Sequence, residues 1–169
     1  MSDSPREPDQ VDAIMAAWRR ERPDVDPSPQ GVIGRLHRIA LLLDGHLDAN
    51  FARFGLSQGE FDVLATLRRS GAPYERTAGE LADHTMITTG GLSKRVDRLE
   101  ARGLIERTVD AIDTRRRNIR LTAQGLALVD EAYAAHMGLE LELIKHIPDP
   151  EALAAALRTW GSALPNIDS

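Results

Sequence analysis

A chain of 169 residues is long enough for one domain with a sizeable core and an added arm or tail. With 42% apolar and only 4% aromatic residues, and many Ala, Leu and Arg, the composition predicts a mainly helical protein. It offers no apolar run of about 18 residues to span a membrane, no apolar N-terminal segment like a secretory signal, and no cysteine for disulfide or thiol chemistry, so a cytoplasmic location is expected.

Residues 1–8 are polar and proline-bearing, and Asp9 is placed to cap a short helix running to about Arg22. Val11, Ile14, Met15 and Trp18 share one face of that helix. Pro23, Pro27 and Pro29 then predict a stiff link. A lone three-turn helix is marginal in water, so it must pack on something. From Gln30 to Arg53 the positions Ile33, Leu36, Ala40, Leu43, Leu47 and Phe51 recur in three- and four-residue steps, predicting a long amphipathic helix that stops around Gly55. Ser57 with Glu60, and Thr77 with Glu80, fit capping boxes. They open helices at about Gln58 to Arg69, with Phe61, Leu64, Ala65 and Leu67 turned to a core, and at Ala78 to His84.

A turn at Thr85 to Ile87 leads into a second helix, roughly Thr89 to Arg102, with Leu92, Val96 and Leu99 inward. Arg95 and Arg98 fall on one flank, Ser93 and Asp97 on the other. Gly90 and Gly91 are poor helix formers. They mark either tight packing and a late helix start, or a backbone free to approach phosphate. Two β-like runs follow, Leu104 to Val109 and Asn118 to Thr122, flanking an arginine-rich turn. After them, Leu126, Val129, Tyr133, Met137, Leu141 and Ile144 mark a long helix, widened by Leu139 and Leu143. Asp149 or Pro150 opens a last helix to about Leu164, with Leu153, Leu157 and Trp160 apolar. Helices apolar on more than one side need cover from outside their own domain, which favours a helical homodimer. The expected division is an arm at 1–29, a helical dimerisation region at 30–55 and 123–169, and a DNA-binding lobe at 56–122.

Two helices joined by a short turn, followed by a β-hairpin with a basic tip, are the order of a winged helix-turn-helix. The net charge of −5 does not oppose this, because charge placement matters more than its total. Between Thr77 and Arg120 nine Lys/Arg stand against seven Asp/Glu, while the rest of the chain holds twelve against nineteen. Arg115, Arg116, Arg117 and Arg120 fall within six residues, a local footprint for phosphate or the narrow minor groove. The competing account is a solvated charged hairpin beside an ordinary packing helix.

The stretch LSKRVDRLEARGLIERTVDAIDTRRRNIRLTAQG resembles the MarR family of winged-helix transcription regulators. The resemblance is carried by Asp97 to Glu100, Gly103 to Ile105, Arg107, Asp113, Arg115, Leu121, Thr122 and Gly125. It implies a mainly α fold with a small β-hairpin wing. It also implies a homodimer whose N- and C-terminal helices interlock, bound to a pseudo-palindromic double-stranded DNA operator, with repression as the family's usual mode. By that resemblance Thr88, Thr89, Ser93, Lys94 and Arg95 face the major groove. Arg115 or Arg116 enters the minor groove with Asp113 holding the wing arginine, and Arg117 makes a third consecutive candidate.

The segments from Trp18 to Asp26, Gly34 to Leu36, Phe54 to Ser57 and Glu60 to Gly71 also resemble the PecS/HucR, urate-responsive branch of that family. That resemblance implies a site for a small anionic or aromatic ligand lined by Trp18, Asp62, Ser93 and Arg107. Ser70 stands where some members carry an asparagine, a departure that bears on urate itself. A flat anion suits a guanidinium and an aromatic wall, and Asp62 is the expected partner of Arg107. Each residue has a plainer account: Trp18 as an arm anchor, Asp62 as solvated, Arg107 as a structural ion pair, Ser93 as a phosphate contact. No cofactor is implied. His37, His46, His84, His136 and His146 show no metal-binding spacing, and no phosphate loop or nucleophile elbow is present. An enzyme is therefore not expected. The alternatives are a metal-responsive regulator of the same fold and a helical dimer that acts through protein partners.

Overall fold

A computed structural model describes residues 7–85, 91–109 and 117–165. The elements in chain order are α1 (Gln10–Glu21), α2 (Gln30–Ala52), α3 (Gln58–Arg69), β1 (Glu75–Thr77), α4 (Ala78–His84), α5 (Leu92–Ala101), β2 (Ile105–Val109), β3 (Arg117–Leu121), α6 (Ala123–Ile144) and α7 (Pro150–Ala163). The fold is mostly helical with one small antiparallel sheet. The chain divides into two compact units, residues 1–49 and 50–169. This boundary falls inside α2.

The helix starts follow from local chemistry. Asp9, Ser57 and Thr77 each accept a hydrogen bond from the backbone three residues on. The acid at that third position, Asp12, Glu60 or Glu80, accepts one back from the cap. Two orphan N–H groups are thereby satisfied at each start. Asp149 caps α7, with Pro150 in its first turn.

In the first unit α1 lies on α2. Val11 meets the flat backbone at Gly34, Met15 meets Gly31, and both apolar side chains are buried. Arg35 of α2 bonds Asp9 at 2.8 Å and Asp12 at 2.8 Å. Hydrogen bonds to Asp9, that from Arg35 first among them, pull its carboxyl down to about 2.

The second unit holds most of the core: Phe51, Leu64, Leu67, Leu81, Leu99, Leu104, Ile105, Ile119 and Val129 are all nearly inaccessible. Phe51 stacks on Phe61 at 4.2 Å, and the His136 ring of α6 packs against both. Val63, absent from the expected inward face of α3, is fully buried. The stripe expected on α6 is divided: Val129 is buried, whereas Tyr133, Leu141 and Ile144 are exposed.

The expected hairpin is present as β2 and β3, and the sheet extends it, since β3 lies between β2 and a third strand, β1. Arg107 pairs across to Ile119, and Ile119 to Arg76. The L-T-x-x-G run has a physical role at the exit of this sheet. Thr122 accepts from the Gly125 N–H at 3.0 Å and donates to the Gly103 carbonyl at 2.7 Å. A Cβ on Gly125 would fall 1.9 Å from the Leu104 carbonyl oxygen, so the first turn of α6 can approach β2 only as glycine. Gly103 ends α5 with φ +69°, a conformation that side chains resist.

Candidate nucleic-acid interface

Helix α5 is a short amphipathic rod whose inner face, Leu92, Val96 and Leu99, is buried against the lobe. It starts later than periodicity suggested, at Leu92, with Gly91 as its N-cap and no capping side chain. Thr88 and Thr89 lie outside the described residues, as do Asp113, Arg115 and Arg116 of the expected wing tip. Arg117 is placed by its backbone as the first residue of β3.

Arg95, Arg98 and Arg102 form one stripe turned back onto the start of α3. Arg98 Nε donates to Glu60 Oε1 at 3.0 Å, and Arg102 Nη1 donates to the Gly55 carbonyl at 2.8 Å. The half-buried Arg95 fills a notch: a Cβ on Gly59 would sit 2.4 Å from its Nε, and one on Gly91 2.2 Å from its Nη1. The glycines at 59 and 91 leave the room that this side chain occupies. Burial alone would raise the Glu60 pKa, but hydrogen bonds from the Ser57 backbone and hydroxyl, with the Arg98 charge, outweigh it and lower it. The spacing 95, 98, 102 was visible in the sequence; its direction was not.

Lys94 is exposed on the outward face, opposite the buried Leu92, Val96 and Leu99, and Ser93 is exposed on the flank away from the arginines. Arg95 would have to leave its notch to reach a groove. Arg107, on β2, bonds both Asp97 and Glu100 of α5. This corrects the expected Asp62–Arg107 pair: the strand leaves α5 through a tight turn, and the guanidinium folds back over the helix it has just left. Asp62 instead lies 3.8 Å from Arg69, two turns along its own helix. Arg107 thereby ties the wing root to α5 and offsets two carboxylates there. Arg120, counted in the basic cluster, bonds Glu106 at 2.7 Å across the sheet. Trp18 is 48% exposed on α1. It lines a cavity of about 280 Å³ with Arg22, Val25, Pro27, Pro29 and Gln30, within the first unit.

Among the described residues no group of three or more His, Cys, Asp or Glu is placed to hold a metal, and no helix is long and apolar enough to cross a membrane.

A paired helix-turn-helix with an antiparallel wing behind its second helix defines a winged-helix DNA-binding protein. The sequence profile of the MarR family matches residues 54–116. The HTH-type transcriptional regulator PecS of Dickeya dadantii (strain 3937) is 41% identical over 142 residues, covering 84% of this chain and 86% of PecS. The chain belongs to the MarR family. Solved structures with the same fold include Bordetella bronchiseptica BpsR, whose DNA binding is regulated by 6-hydroxynicotinic acid. It is 22% identical, with 81% of this chain and 96% of BpsR covered and a TM-score of 0.67. They also include a mutant of E. coli MarR complexed with operator DNA, 24% identical, with 88% of this chain and 98% of that one covered and a TM-score of 0.67. The fold and these relatives are those of transcriptional regulators, not enzymes.

Proposed function

We propose that this regulator is a repressor that binds a pseudo-palindromic operator as a homodimer and is released by a small anionic or aromatic metabolite. The observation that carries the DNA reading is the division of α5. Its arginines are engaged by Glu60 and the Gly55 carbonyl, while Lys94 on the outward face and Ser93 beside it are exposed where the second helix of such a motif meets the major groove. Thr88, Thr89 and the wing residues Asp113, Arg115, Arg116 and Arg117 complete the proposed reading surface by family resemblance. The dimer reading is supported by apolar faces left exposed on α2 (Ile39, Leu41, Leu42), at the end of α6 (Leu141, Ile144) and on α7 (Leu153, Leu157). Such faces call for cover by a second copy.

The proposed ligand residues are Asp62, Ser93 and Arg107, with Trp18 included on the sequence resemblance. Urate or a related heterocycle, or an aromatic acid of the kind that regulates BpsR, has the chemistry a guanidinium prefers. An anion that takes Arg107 from Asp97 and Glu100 would loosen the wing root from α5 and return two negative charges to the DNA-facing helix. Release then follows because the ligand and the operator favour different arrangements of one ion-pair cluster.

The test is a duplex selected from randomised DNA by the wild-type chain, titrated with urate and with 6-hydroxynicotinic acid. The reading expects release by at least one of them, and loss of that release in Arg107→Ala and Trp18→Phe while duplex binding survives. Full release from Arg107→Ala would remove the ion-pair mechanism. Binding indifferent to salt would remove the DNA reading, because several phosphate contacts make affinity fall steeply with added salt.

A further inference from the structure

We propose that Arg95 is a stowed DNA contact: the free chain parks its guanidinium in the Gly59–Gly91 notch, and a duplex draws it out onto a backbone phosphate. This role rests on the DNA reading given above and adds to it a step that α5 takes on binding.

The three arginines of this flank are not held alike. Arg98 donates to Glu60 Oε1 at 3.0 Å, and Arg102 donates to the Gly55 carbonyl at 2.8 Å. Arg95 Nη1 is buried and has no hydrogen-bond partner among the described residues. A guanidinium keeps its charge and offers only donors, and a buried donor left without an acceptor costs stability. Packing is what holds Arg95 in place, through its apolar stem and the bare backbone of two glycines. Moving it is easy. The atoms that lie against Gly59 and Gly91 are the far end of a flexible side chain, from Cδ to the guanidinium nitrogens. Rotation about its own torsions empties the notch without shifting the backbone of α3 or α5.

Position decides what the released group meets. Arg95 stands in the first turn of α5, which starts at Leu92, and the N-terminal residues of a recognition helix are those that enter the groove. Arg98 and Arg102 lie further along. On the helix wheel Arg95 is about 100° round from Lys94, so it reaches a phosphate bordering the groove and not a base edge. The two positions of this side chain are then favoured by different things: packing in the free chain, and a charge-assisted hydrogen bond in the complex. Apparent affinity is lowered by the fraction of chains in which Arg95 is stowed. The depth of a glycine notch on α3 thereby sets how tightly α5 holds DNA.

The test uses the full chain and the duplex selected from randomised DNA, and reads affinity with the log–log salt slope. Arg95→Ala should bind at least several-fold more weakly and flatten the slope by about one. Gly59→Ala fills the notch from α3, not from the reading helix, and should bind several-fold tighter with the wild-type slope. The double variant Gly59→Ala/Arg95→Ala should match Arg95→Ala alone, because a filled notch then has nothing to release. Circular dichroism and urea unfolding verify that each variant is folded. Wild-type binding indifferent to salt would remove the DNA reading and the stowed contact with it. With salt-dependent wild-type binding, the stowed contact alone is overturned by any of three results: Arg95→Ala binding as wild type, Gly59→Ala binding no tighter, or a Gly59→Ala gain that persists in the double variant.

Discussion

The two sides of α5 make a useful comparison. One flank of the helix and its C-cap carries three arginines that contact the lobe, at Glu60, at the Gly55 carbonyl and in the Gly59–Gly91 notch, with Arg98 and Arg102 still exposed. Lys94 on the outward face and Ser93 on the flank away from the arginines are both exposed. Arg107 and Arg120 behave like the first flank, pairing with Asp97, Glu100 and Glu106. A count of basic residues therefore overstates the surface available to phosphate. Much of this charge holds the helix and wing in register, and the reading surface is narrower than composition suggests.

The comparison can be broken from the inside outward. Leu99 is fully buried beneath both flanks; Leu99→Ala should cost about 2–5 kcal/mol in urea unfolding, and both flanks should lose their order together. Gly59→Val places a branched side chain where Arg95 lies, and overpacking of this kind costs about 1–3 kcal/mol. An unchanged urea midpoint would mean that Arg95 is easily displaced from the notch. Arg98→Ala leaves Glu60 buried without its guanidinium. Because Arg98 is itself 60% exposed, solvent screening reduces the loss to about 1 kcal/mol.

A smaller effect is expected from pH. Asp9 is lowered to about 2 and Glu60 is lowered as well. Carboxylates depressed in the folded state contribute stability that is present above their unfolded values, near 4, and lost as pH falls through the folded ones. The hold of Arg35 on Asp9 should therefore persist at pH 4 and weaken toward pH 2. Trp18 fluorescence in a Trp160→Phe background reports on α1. A transition centred near pH 4 or above would contradict the Asp9 assignment.

Much of this fold was readable because its signals are local. The caps at Asp9, Ser57, Thr77 and Asp149 and the stop at Gly103 each need only a few neighbouring residues. Strand β1 was missed because Glu75-Arg76-Thr77 has no apolar alternation; its pairing comes from β3, more than forty residues later. The direction of the arginine stripe was missed for a related reason. Helical spacing places Arg95, Arg98 and Arg102 on one side, but only packing against α3 tells whether that side faces protein or solvent. Asp62 was expected beside Arg107 on charge chemistry, whereas the acids that bond it belong to the helix just before it in the chain.

The most direct measurement compares Lys94→Ala with Arg98→Ala on the selected duplex, following affinity, salt dependence and thermal stability in both. If α5 is divided as described, Lys94→Ala keeps its melting temperature, loses affinity at least tenfold and flattens the log–log salt slope by about one. Arg98→Ala melts earlier and keeps the wild-type salt slope. The opposite pattern, with Arg98→Ala flattening the slope and Lys94→Ala binding as wild type, would show that the arginine flank faces the DNA.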